Sequence, residues 1–233
     1  MPDTGIRPRA DRNVRRVDSP YLSVVIPAFN EEPRIGATLE SVVSYLGSQP
    51  YDWDLTVVDD GSTDGTADLV DPFAKEEPRV RLERVPHAGK GWAVRHGMLT
   101  TSGRYRFMCD ADLSMPIENL RRFLDAMEAG ESVVIGSRET EGSRRVGETA
   151  LRHLRGRVFN WLVRVAAVRG VQDTQCGFKC FRGDVADEIF SMQRTRGFGF
   201  DVELLFLSRK KGHDVHEIPI EWRHNEASKV RPV

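Results

Sequence analysis

The feature that most constrains this chain is a repeated alternation between short β-branched apolar runs and amphipathic stretches with helical spacing. The expected strands are 21–27, 53–58, 80–85, 104–109 and 132–136, and the expected helices between them are 33–46, 66–73, 92–100 and 117–129. This alternation is typical of an open, mostly parallel sheet covered by helices. We therefore expect an α/β fold.

The remainder of the chain continues in the same style. We expect a long amphipathic helix at 149–168, a turn and strand at 172–181, helices at 184–192 and 204–210, and a last strand at 215–222. A length of 233 residues suits a single domain, assigned to 20–233. The first 19 residues are arginine-rich and lack the apolar core of a signal peptide, so they are expected to form a disordered basic tail.

Charged side chains follow several of the expected strands at the point where each strand ends. The residues are Glu31, Asp60, Asp110, Asp112 and Arg138. In open α/β sheets, ligands bind beyond the carboxyl ends of the strands, where side chains from different strands meet. The sequence thus predicts one binding site built from these positions.

The segment Asp110-Ala111-Asp112 places two carboxylates at i and i+2 directly after an apolar run. Hard cations such as Mg²⁺ and Mn²⁺ prefer oxygen ligands, and Mg²⁺ is commonly held by one or two carboxylates together with substrate phosphates. The alternative is an ordinary acidic turn. Both interpretations stand at this point.

Lys90 follows a glycine at the expected start of the third helix, where free N–H groups favour an anion such as a diphosphate. The alternative is an exposed turn lysine. The surrounding residues do not match a Walker A loop, and no GxGxxG follows the first strand, which argues against the commonest phosphate and dinucleotide fingerprints.

Charge is balanced overall but not locally. The formal net charge is −1, which provides no electrostatic argument for nucleic acid binding. From 138 to 169, eight arginines face three glutamates, so this segment could present an anion-binding surface or simply a solvated helix face. Three cysteines indicate a reducing compartment. No run of 18 apolar residues is present.

Six motifs, in order, resemble those of the family 2, GT-A fold glycosyltransferases, and more narrowly the polyprenyl-phosphate sugar synthases. They are VIPAFNE (25–31), VDDGSTDGT (58–66), DAD (110–112), GSR (136–138), DTQCGFK (173–179) and the closing Arg223…Ser228-Lys229. The resemblance covers about residues 21–230. It implies a GT-A, Rossmann-like single domain.

The resemblance also implies roles for individual residues. Pro27, Phe29 and Glu31 match the first nucleotide-contacting loop, and Val58 with Asp60 match positions that hold the base and ribose.

Asp110, Ala111 and Asp112 match the motif that binds the metal and the diphosphate of the donor. Ser114 departs from members that carry glutamine as a third metal ligand.

Arg138 matches the arginine that meets anionic groups of the donor or the acceptor, and Arg152 matches a second arginine near the acceptor phosphate. Asp112, Arg138 and Arg152 are implied as the catalytic set. Arg223 and Lys229 match a C-terminal loop that closes over the nucleotide.

The implied reaction is an inverting, Mg²⁺- or Mn²⁺-dependent transfer of a hexose from a nucleotide diphosphate sugar, with UDP-glucose favoured over GDP-mannose, to a polyprenyl or dolichyl phosphate. A phosphate monoester, with a second pKa of ~6, needs positioning rather than a strong base. Two alternatives remain: a hydroxyl acceptor, which would make Asp201 or Glu203 an essential base, and a non-catalytic nucleotide-sugar-binding protein. Apart from that role, Asp201 is expected to cap a helix.

The implied setting is the cytoplasmic face of a membrane, where the protein would be attached peripherally. A membrane-anchoring partner or a homo-oligomer would fit that setting, and no nucleic acid partner is expected.

Overall fold

The computed structural model describes residues 19–146 and 170–223, which are built around a seven-stranded sheet. The strands in chain order are β1 (Leu22–Ala28), β2 (Trp53–Asp59), β3 (Val80–Arg84), β4 (Tyr105–Met108), β5 (Val133–Ser137), β6 (Arg144–Val146), β7 (Lys179–Arg182), β8 (Val215–Pro219) and β9 (Glu221–Arg223). The main sheet has the order β3-β2-β1-β4-β7-β5-β8, and β6 pairs with β9 in a separate ribbon.

Helices cover both faces of the main sheet. They are α1 (Glu32–Gly47), α2 (Thr66–Glu76), α3 (Lys90–Thr100), α4 (Leu120–Glu128, after a 3₁₀ turn at Ile117–Asn119), α5 (Gly183–Met192) and α6 (Phe200–Lys210). Strand β1 is buried throughout, and its side chains alternate between two apolar clusters. Val24 and Ile26 pack in the cluster of α1, α2 and α4, whereas Val25 packs in the cluster of α3, α5 and α6.

The pairing confirms the expected α/β class and the mostly parallel sheet. Strands β1, β2, β3 and β4 are parallel, and β5 is parallel to β8. Strand β7 is the exception, since it runs antiparallel between β4 and β5. The sheet therefore brings the carboxyl ends of β1, β2 and β4 to one edge, and the residues just before β7 arrive at that same edge.

The single strand expected at 215–222 is two strands. Pro219 ends the pairing of β8 with β5, and Ile220 N–H donates to the Ser137 carbonyl (3.1 Å). The Ile220 carbonyl then accepts from Arg144 N–H (3.1 Å), which begins the separate ribbon. The change of partner therefore falls at Ile220, whose N–H still bonds β5 while its carbonyl bonds β6.

Helix α6 begins four residues earlier than its expected start at 204. Its N-cap is Gly199, so Asp201 lies inside the first turn, and the prediction that Asp201 caps a helix is wrong. The expected helix at 149–168 and nearly all of the expected tail at 1–19 lie outside the described residues.

Candidate functional site

A pocket of about 390 Å³ opens beyond the carboxyl ends of β1, β2 and β4. Eight of its lining residues are positions singled out from the sequence: Pro27, Phe29, Glu31, Asp60, Lys90, Asp110, Ala111 and Asp112. The other lining residues are Ala28, Arg34, His87, Gly89, Ala93, Gly197 and Phe198. The structure therefore brings strand ends that are distant in sequence into one cavity.

The loop that carries Asp110 and Asp112 is fixed by hydrogen bonds on three sides. Asp112 Oδ1 accepts from both the backbone N–H (3.0 Å) and the hydroxyl (2.8 Å) of Ser114. The Thr38 hydroxyl, on α1, donates to the Ala111 carbonyl (2.6 Å), and Arg223 N–H, on β9, donates to the Ser114 carbonyl (2.8 Å). Ser114 therefore orients the Asp112 carboxylate.

Asp110 faces a lysine and a glycine. Its Oδ1 lies 2.7 Å from Lys90 Nζ, the first side chain of α3. A Cβ placed on Gly177 would lie 2.1 Å from Asp110 Oδ2, so any larger residue there would displace the carboxylate. Burial alone would lower the pKa of Lys90, but the charges of Asp110 and Asp201 raise it, and the ammonium stays protonated.

The carboxylate oxygens of this loop suit a hard divalent cation that is bound together with a diphosphate. Asp110 and Asp112 provide carboxylate oxygens on one loop, and the space that Gly177 leaves free is occupied by the Asp110 carboxylate. Within residues 19–146 and 170–223, no cluster of three or more His, Cys, Asp or Glu side chains could hold a metal. Two carboxylates completed by phosphate oxygens and water are the usual surroundings of Mg²⁺.

The pocket lining also includes an aromatic stack. The rings of Phe29 and His87 lie 4.2 Å apart and 22° from parallel. His87 Nδ1 lies 2.9 Å from the Asp60 carbonyl and 2.9 Å from its Oδ2. The buried Asp60 carboxylate also accepts from the N–H groups of Ala88 (2.8 Å) and Gly89 (2.9 Å). Asp60 thus shapes the loop that presents His87 and starts α3.

Glu31 and Arg34 form an ion pair at the pocket wall, with Arg34 Nε 2.5 Å from Glu31 Oε2. Both side chains are largely buried, at 19% and 11% exposed. The pair ties the loop after β1 to the first turn of α1.

Arg138 is bound by a buried carboxylate. Its Nε and Nη2 donate to Asp173 Oδ2 (2.6 Å) and Oδ1 (2.8 Å), and its backbone N–H donates to the same carboxylate (3.0 Å). Burial acts to raise the pKa of Asp173, but the Arg138 guanidinium outweighs it and holds that pKa below its usual value. Nη1 takes no part in this ion pair. Arg138 does not line the pocket of Asp110 and Asp112.

The two candidate bases are both occupied by structural contacts. Asp201 pairs with Lys179, which also donates to the Cys176 carbonyl, and burial raises the pKa of Asp201 in spite of the lysine. Glu203 accepts from the N–H groups of Arg194 (3.0 Å) and Thr195 (2.7 Å) and so fixes the segment before α6.

Two other residues predicted from the sequence, Val58 and Arg223, do not line this pocket. Val58 is fully buried in the apolar cluster of α3, and Arg223 is an exposed residue of β9 whose Nε pairs with Glu221 (2.9 Å). Arg152 and Lys229 lie outside the described residues.

Sequence reasoning missed four contributors to this region: His87, Phe198, Asp173 and Gly177. Asp173 and Gly177 stood in a quoted motif, but only their spatial neighbours reveal what they contact. A histidine two residues before a glycine-lysine pair offered a signal for His87. Phe198, which is 59% exposed, lies near Lys90 with 5.8 Å between Nζ and the ring centroid.

Comparison with known proteins adds to this geometry. The family model described as "Glycosyl transferase family 2" matches residues 23–190. Dolichyl-phosphate beta-glucosyltransferase ALG5C of Trichomonas vaginalis is 36% identical, over 91% of this chain and 66% of its own. Dolichyl-phosphate beta-glucosyltransferase of Dictyostelium discoideum is 32% identical, over 97% of this chain and 73% of its own. This chain thus spans about two thirds to three quarters of their lengths.

Among solved structures, glucosyl-3-phosphoglycerate synthase from Mycobacterium tuberculosis in complex with Mn²⁺ and UDP-glucose matches with a TM-score of 0.66 and 23% identity. The match covers 92% of this chain and 73% of that chain. The same synthase is also known in complex with Mg²⁺ and UDP. At this level of identity, the likeness establishes the shared fold.

In the part of the chain that the structure describes, no helix has both the length and the apolar character needed to cross a bilayer.

Proposed function

Because this chain belongs to glycosyl transferase family 2, we propose that it transfers glucose from UDP-glucose to a polyprenyl phosphate of the dolichyl type. The observation that carries the proposal is the mixed lining of the pocket. The same cavity is lined by the Phe29–His87 stack and by Lys90 with the carboxylates of Asp110 and Asp112. A nucleoside diphosphate combines the matching features, since it has a flat base and charged phosphates.

The choice of donor draws on relatives. The Trichomonas and Dictyostelium proteins are named as dolichyl-phosphate beta-glucosyltransferases, which favours glucose over mannose. A Mg²⁺ or Mn²⁺ ion held by Asp110 and Asp112 supplies Lewis-acid neutralisation of the leaving diphosphate. In this assignment Asp60 orients the loop beside the base, while Pro27, Ala111 and Glu31 shape the wall of the donor site.

We infer the nature of the acceptor from the side chains that could act as a general base or bind a phosphate. A hydroxyl acceptor needs a general base within hydrogen-bond reach. Asp201 is bound to Lys179 and Glu203 to two backbone amides, so neither is presented to the pocket as a base. A phosphate acceptor is already anionic and needs cations to position it, and guanidinium groups suit that task. We assign this role to Arg138, through Nη1, and to Arg152.

Arg223 and Lys229 are proposed to close over the bound nucleotide. For Arg223, the link from its backbone N–H to the Ser114 carbonyl couples β9 to the metal-binding loop. We place the protein peripherally at the cytoplasmic face of a membrane, where a lipid phosphate is accessible. Flotation with anionic vesicles tests that placement, and recovery only in the soluble fraction would contradict it.

The reaction itself is tested by incubating the protein with radiolabelled UDP-glucose or GDP-mannose, Mg²⁺ or Mn²⁺, and polyprenyl phosphate. We expect label from UDP-glucose in the organic phase, with the β configuration at the anomeric carbon. Label transferred only to a water-soluble acceptor would favour the hydroxyl alternative. Binding of UDP-glucose without any transfer would identify a non-catalytic nucleotide-sugar-binding protein.

A further inference from the structure

The Lys90 ammonium contacts a carboxylate that the proposed metal ion would also bind. Its ammonium lies 2.7 Å from Asp110 Oδ1, and Asp110 is one of the two carboxylates assigned to Mg²⁺ or Mn²⁺. Two cations cannot share one carboxylate oxygen at contact distance without strong repulsion, because like charges a few ångströms apart repel strongly in a partly buried site. The inference below rests on the proposed function only in that it takes these carboxylates to be the metal ligands.

The backbone of both partners is fixed, so the pair is not a chance surface contact. Gly89, directly before Lys90, has a φ of +106°, and a Cβ there would lie 2.7 Å from the Arg196 carbonyl oxygen. Asp60 also holds the Gly89 N–H. On the other side, Gly177 leaves Asp110 just enough room. The flexible part of the arrangement is therefore the four-carbon stem of the lysine.

Lys90 also differs from the other cations near the pocket. Arg34 lines the wall but pairs with Glu31, and Lys179 is fully buried against Asp201. The Lys90 side chain retains 23% of its exposure, and that of Asp110 retains 28%. This ion pair can therefore open without unpacking the core.

We propose that Lys90 is an exchangeable counter-ion for the metal site. Without nucleotide, its ammonium neutralises Asp110 and competes with the divalent cation. When a diphosphate enters, the ammonium moves from the carboxylate to the phosphate oxygens, and Asp110 becomes available to the metal. Metal and nucleotide therefore bind cooperatively, and Lys90 sets the size of that coupling. By linkage, each ligand tightens the other by the same factor.

The test measures Mn²⁺ binding to the full chain by electron paramagnetic resonance of free Mn²⁺, with and without saturating UDP. For the wild type we expect UDP to tighten Mn²⁺ binding by at least ~10-fold, within the usual range of such couplings. Lys90→Met and Lys90→Gln should bind Mn²⁺ alone about 10-fold more tightly, and their coupling should fall well below the wild-type value, to the part that comes from direct ligation of the metal by phosphate oxygens. Lys90→Arg keeps the charge and should resemble the wild type.

Lys210→Met, at an exposed position at the end of α6, is the matched control and should change neither affinity. The proposal is overturned if the neutral variants, folded by circular dichroism, bind Mn²⁺ no more tightly than the wild type, or if their coupling equals that of the wild type. It is also overturned if Asp110→Asn leaves Mn²⁺ binding unchanged. Because the readout is binding, a Lys90-dependent coupling without glucosyl transfer would support this inference while rejecting the proposed reaction.

Discussion

Two lysine–aspartate pairs lie close together at this end of the sheet, and they differ in what surrounds them. The side chains of Lys90 and Asp110 are 23% and 28% exposed and line the pocket, whereas those of Lys179 and Asp201 are 0% and 7% exposed beneath it. A buried pair is costly to open, because each ion would be left without a partner in a poorly solvated site. The exposed pair of Lys90 and Asp110 can therefore exchange partners with a ligand, as proposed above. The buried pair of Lys179 and Asp201 forms part of a fixed framework.

The buried pair should control stability. Lys179→Met leaves Asp201 without its cation, and we expect the free energy of unfolding to fall by about 3–5 kcal/mol, measured by urea denaturation. The double variant Lys179→Met/Asp201→Leu removes both charges and should recover most of that loss. If the double variant is as unstable as the single one, the ion pair itself is not the source of the effect.

The pocket carboxylates should control activity instead. Asp112→Asn should lower kcat/KM by about 1000-fold, since losing a metal carboxylate removes several kcal/mol of charge stabilisation. Its urea midpoint should stay near that of the wild type, in contrast to Lys179→Met. Glucosyl transfer that retained more than a tenth of the wild-type rate would show that Asp112 does not serve the metal.

Ser114 tests how precisely the pocket carboxylates must be oriented. Ser114→Ala removes the hydroxyl bond to Asp112 and keeps the backbone one, so Mn²⁺ affinity should fall by about 10-fold, as for other groups that orient metal ligands. The control is Ser41→Ala, whose hydroxyl bonds an α1 carbonyl at the surface. Equal Mn²⁺ affinity in both variants would remove Ser114 from the site.

The smallest effect is expected at the aromatic side of the pocket. His87→Ala removes one ring of the aromatic stack beside which we place the base. An aromatic contact with the base is worth about 0.5–1.5 kcal/mol, so the KM for UDP-glucose should rise roughly 2- to 12-fold. His87→Phe should restore most of the affinity, and the exposed His216→Ala is the control. A donor KM that does not respond to His87→Ala would place the base elsewhere.

Much of the site could be predicted from the sequence because its residues follow strands. Parallel strands bring their carboxyl ends to one edge, and Glu31, Asp60, Asp110 and Asp112 meet in one pocket there, as predicted. Arg138, predicted at the same site, does not line that pocket, since β7 separates β5 from β4 and Asp173 binds the guanidinium. Membership of glycosyl transferase family 2, expected from ordered motifs, is confirmed over residues 23–190. The prediction that Asp201 caps a helix failed because α6 begins at Phe200, with Gly199 as its N-cap. Local sequence also could not reveal that Lys179, on β7, takes up the Asp201 carboxylate.

The sequence by itself determined the α/β class, the mostly parallel sheet and the strand ends at which charge collects. Periodicity and turn residues are local properties, and they suffice for that level of description. Only the tertiary structure decided which charge meets which: Lys90 with Asp110, Arg138 with Asp173, and Lys179 with Asp201. These partners are set by the order of strands in the sheet and by close approaches such as that of Gly177. Packing of distant segments fixes both, and no spacing along the chain encodes them.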